Sequence, residues 1–517
     1  MLSYDELTSP ERELWDAFPE GRCVDLRTGV PEDDRVIEGG QWDPGRTVRA
    51  AVIVALLLGA NSAPAEAIAC VRLAGARISG RLSMAGAQVA HALWLEGCWL
   101  EEPVDFLGAS LQTVVITGSR VPGFEADSSR ISANLDLRRS VVESFGSSHF
   151  SHLSTALSLS DARVTGGVLL NGAEIRASGG RAVAAGGLIM EGGMFCKGLV
   201  ARGEVRLLGA QLPGGLFMQG AQLAEPSPSG VVLALDNAVA STLDCFGGFI
   251  ANGTVQLRGA RISDNLTFGG AVLNGPLDGH GPALVAARMQ AVDFDFTLAR
   301  PPSGTVDLRG AHVSYLHDSV HSWPDVVELD GFVYGSVKAD EACEPREAVA
   351  RRDSAAHRVE WIRRSPGYNP QPYEQLASWY RRAGHDDDAR RVLLAKQRHR
   401  RQTLSLAPRV WGHLLDVTVG YGYRPWLAGV WLLALTLLGT LSFGAGSPSP
   451  VQRGEGAPFQ PAVYTLDLLI PVGGLGQRTA WYWADGSLQW LAYLLIAVGW
   501  VLTTAVIAGI TRSLQKN

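Results

Sequence analysis

The residues best placed to do chemistry lie in the last hundred positions. Thr418-Val419-Gly420-Tyr421-Gly422 is a run whose backbone carbonyls, held extended, replace the hydration shell of an ion. Its context argues otherwise. Such a run follows a pore helix that itself follows an outer membrane helix, yet the residues before Trp411 are among the most charged in the chain. A second segment, Val463–Gln477 (VYTLDLLIPVGGLGQ), stands between two long apolar runs, where a pore loop belongs. Tyr464 to Ile470 predicts a short re-entrant or interfacial helix. Gly473-Gly474-Leu475-Gly476-Gln477 lacks the aromatic residue and following acid of a filter, so 463–477 reads as a degenerate pore loop.

Other reactive types are scattered. His312, His317 and His321, with Asp318 and Asp325, have the types of a metal cluster, but there is no HExxH spacing, and the strand pattern fades there into what reads as a solvated loop. Asp293 and Asp295 (VDFDF) share one face of a strand, as a glycosidase pair does, and equally as two acids on an exposed face do. His149 and His152 sit in a Ser-rich insertion. The sequence holds no Gly-rich phosphate loop, GxSxG or dinucleotide fingerprint. No catalytic, cofactor-binding or metal-ligating residue is therefore assigned. The six cysteines (Cys23, Cys70, Cys98, Cys196, Cys245, Cys343) stand singly without a CxxC, which predicts free, mostly buried thiols in a reducing compartment. In residues 70–340, 25 acids against 19 bases are too sparse for a nucleic-acid mimic, and no nucleic-acid partner is expected.

The positions of these residues follow from a repeat. From Leu73 the chain reads LAGARISGRLS, MAGAQVAHALW, LEGCWLEEPVD and FLGASLQTVV, with Leu73, Met84, Leu95 and Phe106 eleven residues apart. Ile78, Val89, Leu100 and Leu111 follow five places behind. The phrase returns from Leu157, Arg206 and Gln256 and closes near Thr305. An eleven-residue unit with single apolar positions and Gly-Ala bends suits short strands, two units making one coil of a parallel β-helix. Sixty glycines fit so many bends. Glu143–Ala156, Pro226–Ser229 and Leu277–Leu284 read as inserted loops.

These repeats resemble the pentapeptide-like β-helix proteins of bacteria, in the subgroup whose unit is LxLxGAxVxG, over residues 70 to about 335. Tyr421-Gly422-Tyr423-Arg424-Pro425 looks like the YGxRP turn that precedes the first helix where such proteins carry a two-helix, channel-like tail. The LTSPERELWDAFPEG opening, the GARISG repeats and the closing LIPVGGLGQ…QWLAYLLIAVGWVLTTAVIAG resemble actinobacterial proteins often called membrane-associated oxidoreductases. That resemblance implies redox activity, for which these residues supply no cofactor cradle.

Residues 1–69 predict a helical cap, with Thr8-Ser9-Pro10 and Glu11 as a helix start and Ala50–Ala60 as an apolar helix covering the first coil. Residues 341–405 are charged and helical, and Ala377, Tyr380, Gly384, Ala389 and Leu393 stand at the intervals of one tetratricopeptide helix pair, expected to pack on the solenoid end or on another subunit. Lys396, Arg398, Arg400, Arg401 and Arg409 then precede two uncharged runs, Trp426–Phe443 and Leu488–Ile510, each long enough to cross a bilayer. With Arg512 and Lys516 beyond the second run and only Arg453 and Arg478 as bases between them, the bias places both chain ends in the cytoplasm. Ala505 and Gly509 form a small-xxx-small pair suited to homo-oligomers.

The expectation is thus a helical cap (1–69), a parallel β-helix (70–340), a charged helical segment (341–405) and a membrane hairpin (406–517, helices 426–443 and 488–510) in the inner membrane. Its function would be that of a membrane-tethered cytoplasmic scaffold or protein-recognition surface. The alternatives are an oligomeric channel-like protein and a membrane-associated oxidoreductase.

Overall fold

Strand pairing, read rung by rung, organises the first two thirds of the chain. The structure, a computed structural model, describes residues 3–61, 68–144, 153–276, 281–339, 355–424, 426–452, 457–471, 473–484 and 486–514. Two compact units divide it, residues 1–375 and 376–517. The division falls inside the helix Gln371–Arg382.

In the first unit the strands form two parallel sheets of 19 and 18 strands. The chain visits them alternately. Ser110–Leu111 and Val114–Thr117 lie in one sheet, Arg120–Val121 and Phe124–Glu125 in the other, then Arg130–Ile131 and Leu135–Asp136 return to the first. Each return lands one rung further on, so that Ile131 pairs with Leu111 behind it and Val164 ahead. A parallel pair needs a crossover of a dozen or more residues, and here the excursion through the second sheet supplies it. The inward positions are the apolar ones of the repeat. Val114, Leu135, Val168, Met194, Leu216, Leu243 and Leu266 form one buried file, each paired with the next.

The Gly-Ala bends have a backbone reason. Gly209 and Gly259 take φ of +63° and +64°, the left-handed region that costs an L-residue energy, and the following Ala210 and Ala260 are buried. A different constraint acts at Gly166, Gly192 and Gly214, which stack on successive rungs. A Cβ on Gly192 would stand 2.5 Å from the Gly166 carbonyl oxygen, and one on Gly214 would overlap the Gly192 carbonyl.

Two expectations are corrected here. Residues 1–69 are not a purely helical cap: Cys23–Asp25 pairs with Cys70–Ala74, and Thr47–Arg49 pairs with Arg77–Ser79, so this segment adds a strand to each sheet. The helices Ser9–Ala17 and Ala50–Leu57 are present as well, the second burying Val52, Ile53 and Leu56. His312–Asp318 is a seven-residue strand paired on both sides, not a loop, and pairing continues to Val333–Ala339. Beyond it, Arg358 on the helix Ala355–Arg363 donates to both Asp318 oxygens at 2.7 and 2.9 Å, and Trp323 Nε1 donates to the same carboxylate at 2.9 Å. At the first turn of the helix Gln371–Arg382, Gln371 and Gln375 donate to the carbonyls of Phe332 and Tyr334, which docks that turn on the last strand.

The second unit is helical. Asp386–Gln402 follows a turn at Gly384 (φ +81°), and Ala377, Tyr380, Ala389 and Leu393 are buried. Leu406–Val419, Trp426–Gly444, Pro461–Leu469 and Gly486–Leu514 follow. Trp426–Gly444 and Gly486–Thr504 are long and apolar enough to cross a membrane. The expected features at His149, His152, Cys343, Arg453 and Lys516 lie outside the described residues, as do the whole 341–354 segment and the packing of Ala505 and Gly509.

Two outcomes follow from the backbone. Gly209→Ala, where a Cβ meets open space, should cost about 1 kcal/mol from φ alone, whereas Gly192→Ala should cost about 3 kcal/mol by overpacking, as measured by denaturant melts of residues 1–375 in the full chain. At the other end, burial raises a carboxyl, but hydrogen bonds from Arg49 and the Thr8 amide outweigh it and hold Glu11 down at about 2. A carboxyl lowered by folding stabilises the chain above its unfolded value and loses that contribution as pH falls to its folded value. The melting temperature should therefore drop between about pH 4.5 and pH 2, and Glu11→Gln should flatten that part of the curve.

Candidate functional site

The segment between the two apolar helices is built from close approaches that only glycine permits. Pro461–Leu469 packs against Trp426–Gly444 where a Cβ on Gly439 would overlap the Thr465 side chain, and against Gly486–Leu514 where one on Gly499 would overlap the Leu469 carbonyl. Tyr464, Leu468 and Leu469 are buried with Phe443, Trp483 and Leu495. Phe443 meets Tyr464 edge-on at 5.1 Å and stacks on Trp483 at 5.2 Å.

The helix ends at Leu469 and the chain turns back through Gly473 and Gly476, both at positive φ. Asp467 holds this loop. Its carboxylate is fully buried, one oxygen accepting from the Leu475 amide at 2.7 Å and the other from the Arg478 amide at 2.8 Å. Gln477 closes the base, donating to the Pro458 carbonyl at 3.1 Å and accepting from the Gln460 amide. Gly473, Gly474, Leu475 and Gly476 are exposed, and the C-terminal, negative end of the helix leads into them. The chemistry on offer is that of exposed backbone carbonyls near a helix C-terminus, which suits cations.

The Thr418–Gly422 run has no such geometry. Thr418 and Val419 end the helix Leu406–Val419, and Gly420 and Tyr421 turn at φ of +55° and +53°. Gly420 is a helix cap whose amide bonds the Asp416 and Leu415 carbonyls.

The histidines and acids are also placed. Asp318 is committed to Arg358 and Trp323, while His317 Nε2 lies 3.8 Å from Asp293 and His312 Nδ1 2.9 Å from the Gly310 carbonyl. Asp295 accepts from Thr267 and from the Thr297 amide, a turn-closing role. Asp293 and Asp295 do share an outward face, as expected from their spacing. Among the described residues, no group of three or more His, Cys, Asp and Glu stands close enough to hold a metal ion. Burial pushes the Cys98 and Cys196 thiols up to about 12, so neither is a nucleophile at neutral pH.

Sequence reasoning missed a second surface. Trp94, Val115, Asp136, Leu169, Phe195, Phe217 and Asp244 pair in one file across successive rungs of the first sheet, in which Val115 and Asp136 are buried and Leu169, Phe217 and Asp244 half-buried. Phe195 and Phe217 stack at 5.1 Å and 10°, lying against Gly193 and Gly215, and both Trp94 and Phe195 are more than a third exposed. Their spacing of twenty-two, in MFCKG and LFMQG, was the available signal. On the second sheet the outward charges are tied to one another, Arg120 to Glu143, Arg176 to Glu174, and Arg202 to Glu174 and Glu225.

Comparison with protein-family models, curated proteins and solved structures finds no significant match in any of the three.

Removing the buried Asp467 carboxylate leaves the Leu475 and Arg478 amides without their acceptor. Asp467→Ala should destabilise the loop by about 3 kcal/mol, seen as faster thiol labelling of a reporter at the buried Leu468 (Leu468→Cys) in the detergent-solubilised chain. Asp467→Asn, which keeps one acceptor, should fall between.

Proposed function

We propose that residues 70–340 form a parallel β-helix serving as a protein-recognition scaffold, held on the cytoplasmic face of the inner membrane by the helices Trp426–Gly444 and Gly486–Leu514. The alternation between two parallel sheets, with each return one rung further on, supports the β-helix. The length and composition of the two apolar helices support the anchor, and the bases preceding the first of them support its orientation.

One observation carries the recognition role. A solvated sheet face is polar, yet Leu169, Phe195 and Phe217 turn large apolar groups outward on three successive rungs, and Trp94 does so further along the same file, beside faces whose charges are already paired. Rigid aromatic rings on a regular sheet are the anchors that protein interfaces favour. Arrays of this kind bind without ordering a loop first.

The re-entrant helix and loop favour a second reading, an oligomeric pore module. A helix that enters between two spanning helices and returns through an exposed glycine loop latched by a buried acid is how a pore-lining segment is built. Several copies would have to bring these loops together.

The two readings part in experiment. A photo-crosslinking residue at position 217 in the membrane-bound chain should give a discrete protein adduct that Phe195→Ser weakens at least fivefold, while the same probe at position 202 gives none. An absent adduct at 217, together with a liposome conductance that Asp467→Ala abolishes, would replace the scaffold by the pore.

A further inference from the structure

The helix Leu406–Val419 leaves apolar surface outward in an unusual place. Leu406, Val410, Trp411, Leu414 and Val417 are all exposed, whereas Asp416, on another face, is held by Arg398 at 2.9 Å and Arg401 at 3.1 Å. A helix that exposes one apolar face and meets arginines of the preceding helix on another lies in the headgroup boundary of a bilayer. Between it and the two spanning helices runs a groove of about 410 Å³, within the size range of ligand pockets. Leu414, Val417, Trp431, Leu435, Val498 and Val501 line it.

The lining offers a ligand no hydrogen bond. Trp431 Nε1 already donates to the Val417 carbonyl at 3.0 Å, and the Thr418 hydroxyl to the Leu414 carbonyl at 2.7 Å. A peptide backbone buried there would leave its polar groups unpaired, which hydrocarbon does not. The charge at the end of the groove selects the headgroup. Arg424 lies along Gly420, just past Val417 and Thr418, exposed and without an acid partner among the described residues. The acid of the adjoining helix, Asp416, is spent on two arginines.

We propose that this groove binds one acyl chain of an anionic phospholipid, whose phosphate meets Arg424. The inference rests on the membrane anchoring proposed above and adds a lipid-binding site to it. The lipid fills the notch between the interfacial helix and the spanning pair, and so fixes the angle at which the helix leaves the membrane.

The test uses the full chain in vesicles of phosphatidylcholine and phosphatidylglycerol at 3:1 by weight. Phosphatidylglycerol with brominated acyl chains should quench tryptophan fluorescence more than brominated phosphatidylcholine does, and Trp431→Phe should remove most of that difference. Native mass spectrometry after mild extraction should show one retained phospholipid, reduced at least fivefold by Ala497→Phe, whose added ring fills the groove. Arg424→Gln should bring the two lipids to parity. Quenching that ignores headgroup and Trp431 alike, or an adduct that survives Ala497→Phe, would overturn the proposal. So would disulfide-linked dimers formed through an Ala497→Cys variant, which would make the groove a contact between copies. A chain that leaves the vesicles in alkaline carbonate would overturn the anchoring itself; one that stays embedded with no retained lipid would overturn the lipid site alone.

Discussion

Register is the constraint on which the first unit depends. Each strand pairs in parallel with the one a rung before it, so residues about twenty-two apart stand over each other, as Cys70 does over Ala92 and Leu73 over Leu95. A slip of one residue would turn the buried file outward and the paired charges inward. The left-handed bends hold the register, because each fixes where a strand ends. Where the bend residue is not glycine, as at Arg139 and Arg288 (both φ +59°), the stacked neighbours keep a conformation the residue itself disfavours.

The same stacking makes surfaces out of single positions. One substitution changes one rung, but a column of like residues sums along the sheet. The Phe195–Phe217 pair and the Arg–Glu ties of the second sheet are both products of this, one apolar and one ionic. Exposed ion pairs contribute little each. Their effect here is to leave few free charges on that face, which sets the aromatic file apart.

Much of this was legible in the sequence. The spacing of Leu73, Met84, Leu95 and Phe106 gave the rungs, and the uncharged runs gave the two long helices, extended in the structure to Gly444 and Leu514. What was missed has physical causes. Cys23–Asp25 and Thr47–Arg49 are three residues each, too short to show alternation, and are strands because an edge waits for them. His312–Asp318 carries polar outward residues that read as loop, yet two neighbouring strands supply its hydrogen bonds. Asp467 was read as part of an apolar helix. Its role depends on two amides eight and eleven residues on, a contact that no periodicity encodes.

The strands at Cys23–Asp25 and Thr47–Arg49 have a consequence for how the protein is made. They begin both sheets, and each later strand adds to one already laid down nearer the N-terminus. The ribosome therefore delivers the template before the copies, and the stack can lengthen at the pace of translation. The apolar helices emerge after the strands, when most of the strand edges that would otherwise catch a neighbouring nascent chain are already paired.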